Sequence, residues 1–355
     1  MVEPPTTHEP AADEMTHEGM SPQDKATSAE STSGDEPYML GPDSTARDGV
    51  PRGEVTEYRW RSDHIYPGTE RTYWLYVPAQ YDAVRPACLM VFQDAALYLG
   101  PDANVPTVFD NLIHTRAMPV TIGLFVSPGD KGPGLPIYGG ADNRSVEYDA
   151  LGDRYARFLI EELLPEVERR YAVVPDPASR AICGISSGGI CAFTVAWECP
   201  DAFRNVVSHC GSFANIRGGH TYPSLIRRSD ARPLRVSLQT GARDLDVVFG
   251  NWPIANQDMA AALAYKGYDH QFIYGEGATR SNTAAPSSPR PCAGSGATIP
   301  RADDREATLP LSMEMAHQDR AVGKTPPRRG CPGQQPYPTI VRPYDGHRDV
   351  GSPAG

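Results

Sequence analysis

The chain has 355 residues, 40% of them hydrophobic, so it is long enough to bury a full core, although 35 prolines and 33 glycines are many for one compact domain. A formal net charge of −11, with no basic stripe and interleaved aromatics, argues against nucleic acid as a partner. The seven cysteines form no CxxC pair and no cluster with zinc spacing, so we predict no disulfide framework, no metal and no other cofactor.

The first 50 residues differ in composition from the rest of the chain. They hold eleven acidic residues against Lys25 and Arg47 and lack any apolar run, which predicts a disordered acidic segment over residues 1–50. Neither a secretory signal nor a bilayer-spanning stretch is visible, so we expect a cytoplasmic protein without membrane contact. The sequence assigns no oligomeric state.

Strands and helices alternate from residue 51 to residue 277, which predicts an α/β domain with a mostly parallel sheet between two helical layers. The predicted strands are 71–77, 87–93, 120–126, 181–183, 206–208, 234–240 and 271–274. The predicted helices are 148–171, 190–198 and 256–266. Residues 278–355 show neither strand nor helix periodicity and are predicted to be a disordered tail.

A G-x-S-x-G motif, Gly184 to Gly188, stands between a predicted strand and a predicted helix. This order is typical of a nucleophile elbow, in which the two glycines relieve crowding around a strained serine. Ser186 is then the nucleophile, and the helix amino terminus with the Ser187 amide faces the oxyanion. The alternative is a serine in an ordinary glycine-rich turn.

In open α/β sheets, ligands bind at the carboxyl ends of the strands. After strand 234–240 come Asp244 and Asp246, two candidates for the acid that orients a catalytic histidine, and the order Ser then Asp is that of α/β hydrolases. We favour Asp244 over Asp246. For either residue, a solvated loop carboxylate is the alternative.

Several further stretches accompany the elbow, and together they carry a resemblance. They are Val91 to Asp94 with Tyr98, Asn143 to Ser145, Glu147 to Asp149, Gly211 to Phe213, Gly250 to Pro253 and Gly275 to Gly277. Over residues 38–277 the chain resembles the α/β-hydrolase esterase family that includes enterochelin (ferric enterobactin) esterases and esterase D. The resemblance implies an α/β-hydrolase fold and a serine esterase acting on a siderophore-type or similar small-molecule ester.

The resemblance also implies roles for individual residues. Ala95, which replaces the family's usual glycine, is a candidate second oxyanion donor. Asp94, Arg144 and Glu147 are candidate substrate contacts, with a structural ion pair between Arg144 and Glu147 as the alternative for those two. Trp252 is expected to be a packed wall of the pocket. His209 is expected in the core, and His270 at the sheet edge opposite Ser186.

The family's histidine is missing from the loop that follows the last strand. Gly275-Glu276-Gly277 continues with Ala278 and Thr279, and histidine does not recur before His317. When each new codon takes the last base of one codon and the first two of the next, with synonymous third bases chosen freely, residues 277–300 can be read as GHSQQHGGAILPAPLRWLWRDYP. This string contains the family's histidine loop and an aromatic helix, so we hypothesise a one-base deletion near codon 277.

The expected function is carboxylic ester hydrolysis with Ser186 as the nucleophile. Asp244 would orient the histidine base, which this reading frame lacks. Losing the base typically costs several orders of magnitude in rate. Two alternatives stay open: acyl transfer to an acceptor other than water, and an inactive hydrolase-fold protein, or pseudogene product, that only binds a ligand or partner.

Overall fold

The computed structural model describes residues 40–130 and 143–279 and two short strands, 286–287 and 314–315. A mixed sheet forms the centre of this part of the chain. The strands are β1 (Glu54–Arg61), β2 (Glu70–Val77), β3 (Cys88–Gln93), β4 (Thr121–Val126), β5 (Arg180–Ile185), β6 (Asn205–His209), β7 (Arg235–Gly241), β8 (Asp246–Val247), β9 (Gly250–Asn251), β10 (Asp269–Gly275), β11 (Pro286–Ser287) and β12 (Glu314–Met315).

The main sheet has the order β1-β2-β4-β3-β5-β6-β7-β10. Six strands of this sheet, β4, β3, β5, β6, β7 and β10, are parallel to one another. The strand β2 is antiparallel to both of its neighbours, β1 and β4. Every residue of β3, β4 and β6 is buried, as expected for parallel strands covered on both faces. The predicted α/β class with a mostly parallel sheet is confirmed.

The helices lie in two layers. They are α1 (Ala95–Leu99), α2 (Val105–His114), α3 (Arg144–Tyr148), α4 (Arg154–Arg157), α5 (Leu164–Glu168), α6 (Ser187–Glu198), α7 (Tyr222–Arg228) and α8 (Trp252–Lys266), with a π-helical turn, Phe158–Leu163, between α4 and α5. Alternate residues of β3 enter different cores: Leu89 and Val91 pack with α6 on one face, and Met90 and Phe92 pack with α2 on the other.

Two elements depart from the sequence-based expectations. The strand β1 was not predicted, because it forms an edge of the sheet where no residue is fully buried and no apolar run marks it. The helix predicted from residue 148 begins only at Arg154, because the chain turns at Gly152, whose φ of +103° breaks a helix.

The last residues of the predicted acidic segment, 40–50, belong to the described part of the chain. Pro42–Ser44 forms a 3₁₀ turn, and Asn111 of α2 donates its side-chain amide to the carbonyls of Asp43 and Thr45. Arg47 pairs with the Asp43 carboxylate. Ordering therefore begins before residue 50, while residues 1–39 lie outside the described part of the chain.

The chain divides into two units, residues 1–319 and 320–355, and all the residues described belong to the first. Of the predicted tail, only residues 278 and 279 and the short strands β11 and β12 are described. The rest of the tail, including His317 and His347, lies outside the described residues. In the described ranges, no helix has the length and apolar character that crossing a bilayer requires.

Candidate active site

Ser186 occupies a strained turn between β5 and α6. Its φ of 55° and ψ of −118° lie in a region that non-glycine residues rarely adopt, which costs about 1–3 kcal/mol. A Cβ on Gly184 would lie 2.1 Å from the Gly188 carbonyl oxygen, so only glycine fits at that position. The turn therefore has the geometry that the motif predicts, and Ser186 remains partly exposed at its tip.

The register of the sheet brings three loops to the same level as this turn. Phe92 pairs with Cys183, and Cys183 pairs with Val207, so Ala95, Ser186 and Cys210 each lie three residues beyond paired positions. Ser187 begins α6, and a helix leaves its first N–H groups without intrahelical acceptors. The amides of Ser187 and Ala95 thus begin neighbouring helices at one edge of the sheet.

Asp94 and Arg144 form a bidentate ion pair beside the elbow. The Arg144 guanidinium donates to both carboxylate oxygens at 2.8 and 2.7 Å. The position of a Cβ on Gly188 would be 2.9 Å from Asp94 Oδ2, which places this carboxylate against the first turn of α6. Burial lowers the pKa of Arg144, but the negative charge of Asp94 outweighs it and the net direction is upward.

The expected ion pair between Arg144 and Glu147 is wrong. Glu147 instead receives two hydrogen bonds from Arg71, at 2.7 and 3.0 Å, and neither side chain is exposed. The Arg71 guanidinium also stacks 4.0 Å from the Phe158 ring centre. Glu147 is therefore buried in an ion pair, and its predicted contact with substrate stays a prediction.

The two candidate acids have different surroundings. Asp244 is buried, and its Oδ2 accepts hydrogen bonds from Thr240 Oγ1 and the Gly241 amide, both at 2.6 Å. Asp246 is exposed at the start of β8. Thr279 donates its amide to Asp244 Oδ1 and its hydroxyl to Oδ2. The loop after β10 thus reaches the Asp244 carboxylate with a threonine.

Cys210 lies between these groups and was not singled out from the sequence. Its backbone has φ +36°, and the carbonyl of the preceding residue, His209, accepts the Ser186 amide at 2.8 Å. Burial, and then the negative charge of Asp244, raise the pKa of the Cys210 thiol well above its usual value. Cys210 is accordingly a neutral thiol at physiological pH.

The Ser212 hydroxyl contacts the Ser186 hydroxyl, and no role was predicted for Ser212. Its Oγ lies 3.2 Å from Ser186 Oγ and accepts the indole N–H of Trp252, also at 3.2 Å. Trp252 is 2% exposed and packs in the same core as Met90 and Phe92; its role as a pocket wall stays a prediction. A serine in a Gly-Ser-Phe stretch carries too little local signal for its contact with residue 186 to be read from sequence.

Two histidines lie on strands of the sheet, His209 at the end of β6 and His270 near the start of β10. His209 is buried, and its Nδ1 shares a hydrogen bond of 2.9 Å with the Tyr98 hydroxyl, as expected of a core histidine. His270 stands near the start of β10, opposite the carboxyl edge, as expected. Within the described ranges, no group of three or more His, Cys, Asp or Glu side chains is arranged to hold a metal.

The comparisons with known proteins agree with this architecture. The model of a family described as "Putative esterase" matches residues 65–270. The iron(III) enterobactin esterase of Dickeya dadantii is 24% identical over 246 residues, which are 63% of this chain and 51% of that protein. The chain thus spans about half the length of this curated relative.

Two solved structures illustrate the fold. The ferric enterobactin esterase from Salmonella typhimurium aligns with a TM-score of 0.54 and 22% identity over 69% of this chain and 58% of its own. A ferulic acid esterase from Anaeromyces mucronatus aligns with a TM-score of 0.53 and 16% identity over 67% and 90%. Both show the same α/β-hydrolase sheet. With the family match covering more than half of its residues, the chain belongs to this esterase family.

Proposed function

We propose that the chain is a serine hydrolase of carboxylic esters in which Ser186 Oγ attacks the ester carbonyl carbon. The observation that carries the proposal is the backbone of Ser186, held at φ 55° and ψ −118° between a central parallel strand and a twelve-residue helix. An ordinary glycine-rich turn has no need of such strain on a serine. The attack gives an acyl-enzyme and releases the alcohol, and water then releases the acid.

The amides of Ser187 and Ala95 form the oxyanion site in this proposal. Support comes from their matched positions at the ends of β5 and β3 and from the dipole of α6, whose amino terminus favours negative charge. Ala95 is fully buried, so its amide works in a region from which water is excluded. Both groups belong to the backbone and are in position before any substrate binds.

Asp244 is the proposed acid, and its burial beside Thr279 supports this choice over the exposed Asp246. Restoring one base at codon 277 puts a glycine at position 278 and a histidine at position 279, so the lost histidine would take the place of Thr279. That is the residue whose side chain already reaches the Asp244 carboxylate. The agreement between a codon argument and a contact supports both the deletion and the acid.

The proposed substrate is a small-molecule ester of the siderophore type. Support comes from relatives named as enterobactin esterases, one of them solved in the presence of enterobactin, and from a ferulic acid esterase. The Arg144 side chain is 30% exposed beside the elbow and is a candidate contact for the substrate together with its partner Asp94. Trp252 contributes a wall and no chemistry.

An inactive hydrolase-fold protein that only binds a ligand is the second candidate. One observation favours it: Thr279, which has no basic group, occupies the place beside Asp244. A serine hydroxyl without an adjacent base is a poor nucleophile. The two candidates differ in the reactivity of Ser186.

A fluorophosphonate probe with intact-mass and peptide analysis separates them. We expect slow labelling of the full 355-residue chain at Ser186, abolished in Ser186→Ala and unchanged in the control Ser224→Ala, which alters an exposed serine on α7. Faster labelling is expected of Thr279→His. If neither the native chain nor Thr279→His is labelled, the hydrolase proposal is wrong and the binding protein is favoured.

A further inference from the structure

The hydroxyl of Ser212 has two neighbours with fixed roles. The Trp252 indole N–H can only donate, so it takes one lone pair of Ser212 Oγ. The second neighbour is Ser186 Oγ, at 3.2 Å. A hydroxyl that accepts a hydrogen bond becomes a better donor, because bonds in a chain polarise one another. The favoured direction therefore runs from Trp252 through Ser212 to Ser186.

The backbone segments that carry Ser186, Ser212 and Trp252 are held together by further hydrogen bonds. The Ser212 amide donates to the Ser186 carbonyl at 3.0 Å, which links the two serine backbones directly. Asn256 of α8 is fully buried and donates to the carbonyls of Gly211 and Trp252, at 2.9 and 3.0 Å. One amide side chain thereby ties the serine loop to the start of the tryptophan helix.

We infer that Ser212 is a positioning residue that donates its hydroxyl proton to Ser186 Oγ and is itself held by Trp252. The inference rests on the proposed role of Ser186 as nucleophile. Donation to Oγ stabilises negative charge as the Ser186 proton leaves, and it directs that proton away from Ser212. Hydrogen bonds at a resting active site often shorten when charge develops, and the separation of 3.2 Å leaves room for this.

This hydrogen bond does not involve a histidine. The three residues come from the elbow, from the loop after β6 and from α8, all of which are complete before residue 277. Ser186 therefore keeps one activating contact in the present reading frame. A base could only add to it, because the base accepts a proton from Ser186 whereas Ser212 donates one.

The first test measures labelling rates with the fluorophosphonate probe on the full chain at pH 9. We expect Ser212→Ala to be slower than the native chain by about tenfold, the effect of removing one hydrogen bond to a developing charge. Trp252→Phe should show a smaller loss. The matched control is Ser208→Ala, which removes a fully buried hydroxyl with no hydrogen-bond partner among the described residues, and it should label like the native chain.

The second measurement is independent of reactivity. Trp252 is one of four tryptophans, and Trp252→Phe identifies its indole N–H signal in a ¹⁵N correlation spectrum. The signal should shift in Ser212→Ala and stay in place in Ser208→Ala. Equal labelling of native chain and Ser212→Ala, both folded, overturns the positioning role. If neither the native chain nor Thr279→His is labelled while the indole signal is intact, the nucleophile itself is contradicted and the positioning role falls with it.

Discussion

Thr279 donates both its backbone amide and its hydroxyl to the carboxylate of Asp244. A serine hydrolase of this fold needs an imidazole between the acid and the nucleophile, and a threonine side chain stands at the acid end of that path. Under the proposed function, this contact marks the position at which the base would stand. It also shows where one substitution could supply it.

Thr279→His should therefore increase the reactivity of Ser186. An imidazole at this position can accept the serine proton while Asp244 holds its other nitrogen, and we expect fluorophosphonate labelling to accelerate by at least about 10²-fold. Thr279→Gln is the matched control, because it is similar in size and lacks a base. Equal rates in the two variants would show that position 279 does not face Ser186.

Substitution of each candidate acid in the Thr279→His variant distinguishes Asp244 from Asp246. Asp244→Asn combined with Thr279→His should lose most of the reactivity that the histidine adds, because an amide fixes the wrong tautomer of the histidine. Asp246→Asn should have little effect, since its carboxylate is exposed. Ester hydrolysis rates of the paired double variants give the comparison, and a larger loss from Asp246→Asn would reverse the assignment.

The coding DNA offers a test that needs no protein. Resequencing codons 270–300 should reveal one additional base near codon 277, so that positions 278 to 280 read glycine, histidine and serine. The corrected chain should then hydrolyse aryl esters with a rate that levels off above about pH 7, as a histidine of ordinary pKa loses its proton. A confirmed frame without such an alternative reading would refute the deletion.

Stability should fall in alkaline solution because of buried thiols. Burial raises the pKa of Cys183 from 9.0 to about 12. A folded-state pKa above the unfolded value gives stability that is complete below pH 9 and is lost as the pH rises toward 12. Each pH unit in this window should remove about 1 kcal/mol per such thiol. Urea denaturation of Cys183→Ala between about pH 8 and 11 should show a shallower decline than the native chain.

Glu147→Gln should destabilise the fold. It leaves the Arg71 charge buried without its counter-ion, and removing one partner of a buried pair costs about 3–5 kcal/mol. Glu161→Gln is the control, because its pair with Arg157 is exposed to solvent and should contribute little to stability. Urea denaturation at pH 7 compares the two. Similar losses would mean that the Arg71 charge is hydrated after all.

The sequence predicts the parts of this site that depend on local pattern. Gly184, Ser186 and Gly188 are neighbours along the chain, so their spacing alone indicates the elbow, and Asp244 follows a strand whose apolar run is evident. The partners of Arg144 and Glu147 were assigned wrongly, because proximity in sequence suggested a pair that three-dimensional packing does not make. Arg71 lies 76 residues from Glu147, and no local pattern links them.

Ser212 and Cys210 were overlooked for a related reason. Each reaches Ser186 only because β6 runs beside β5, and the roles of a small hydroxyl and a small thiol depend on those neighbours. The edge strand β1 escaped prediction because its residues are too polar to form an apolar run. The roles of Ser212 and Cys210 thus depend on contacts between segments that are distant in sequence.

Three non-glycine residues with a positive φ, Asp94, Ser186 and Cys210, follow the adjacent strands β3, β5 and β6. Glycine at any of the three positions would relieve steric strain, so a lineage freed from selection for activity would gain by acquiring it. None of the three is glycine in this chain. Under the proposed deletion, the strained backbone around Ser186 has outlasted the loss of the histidine.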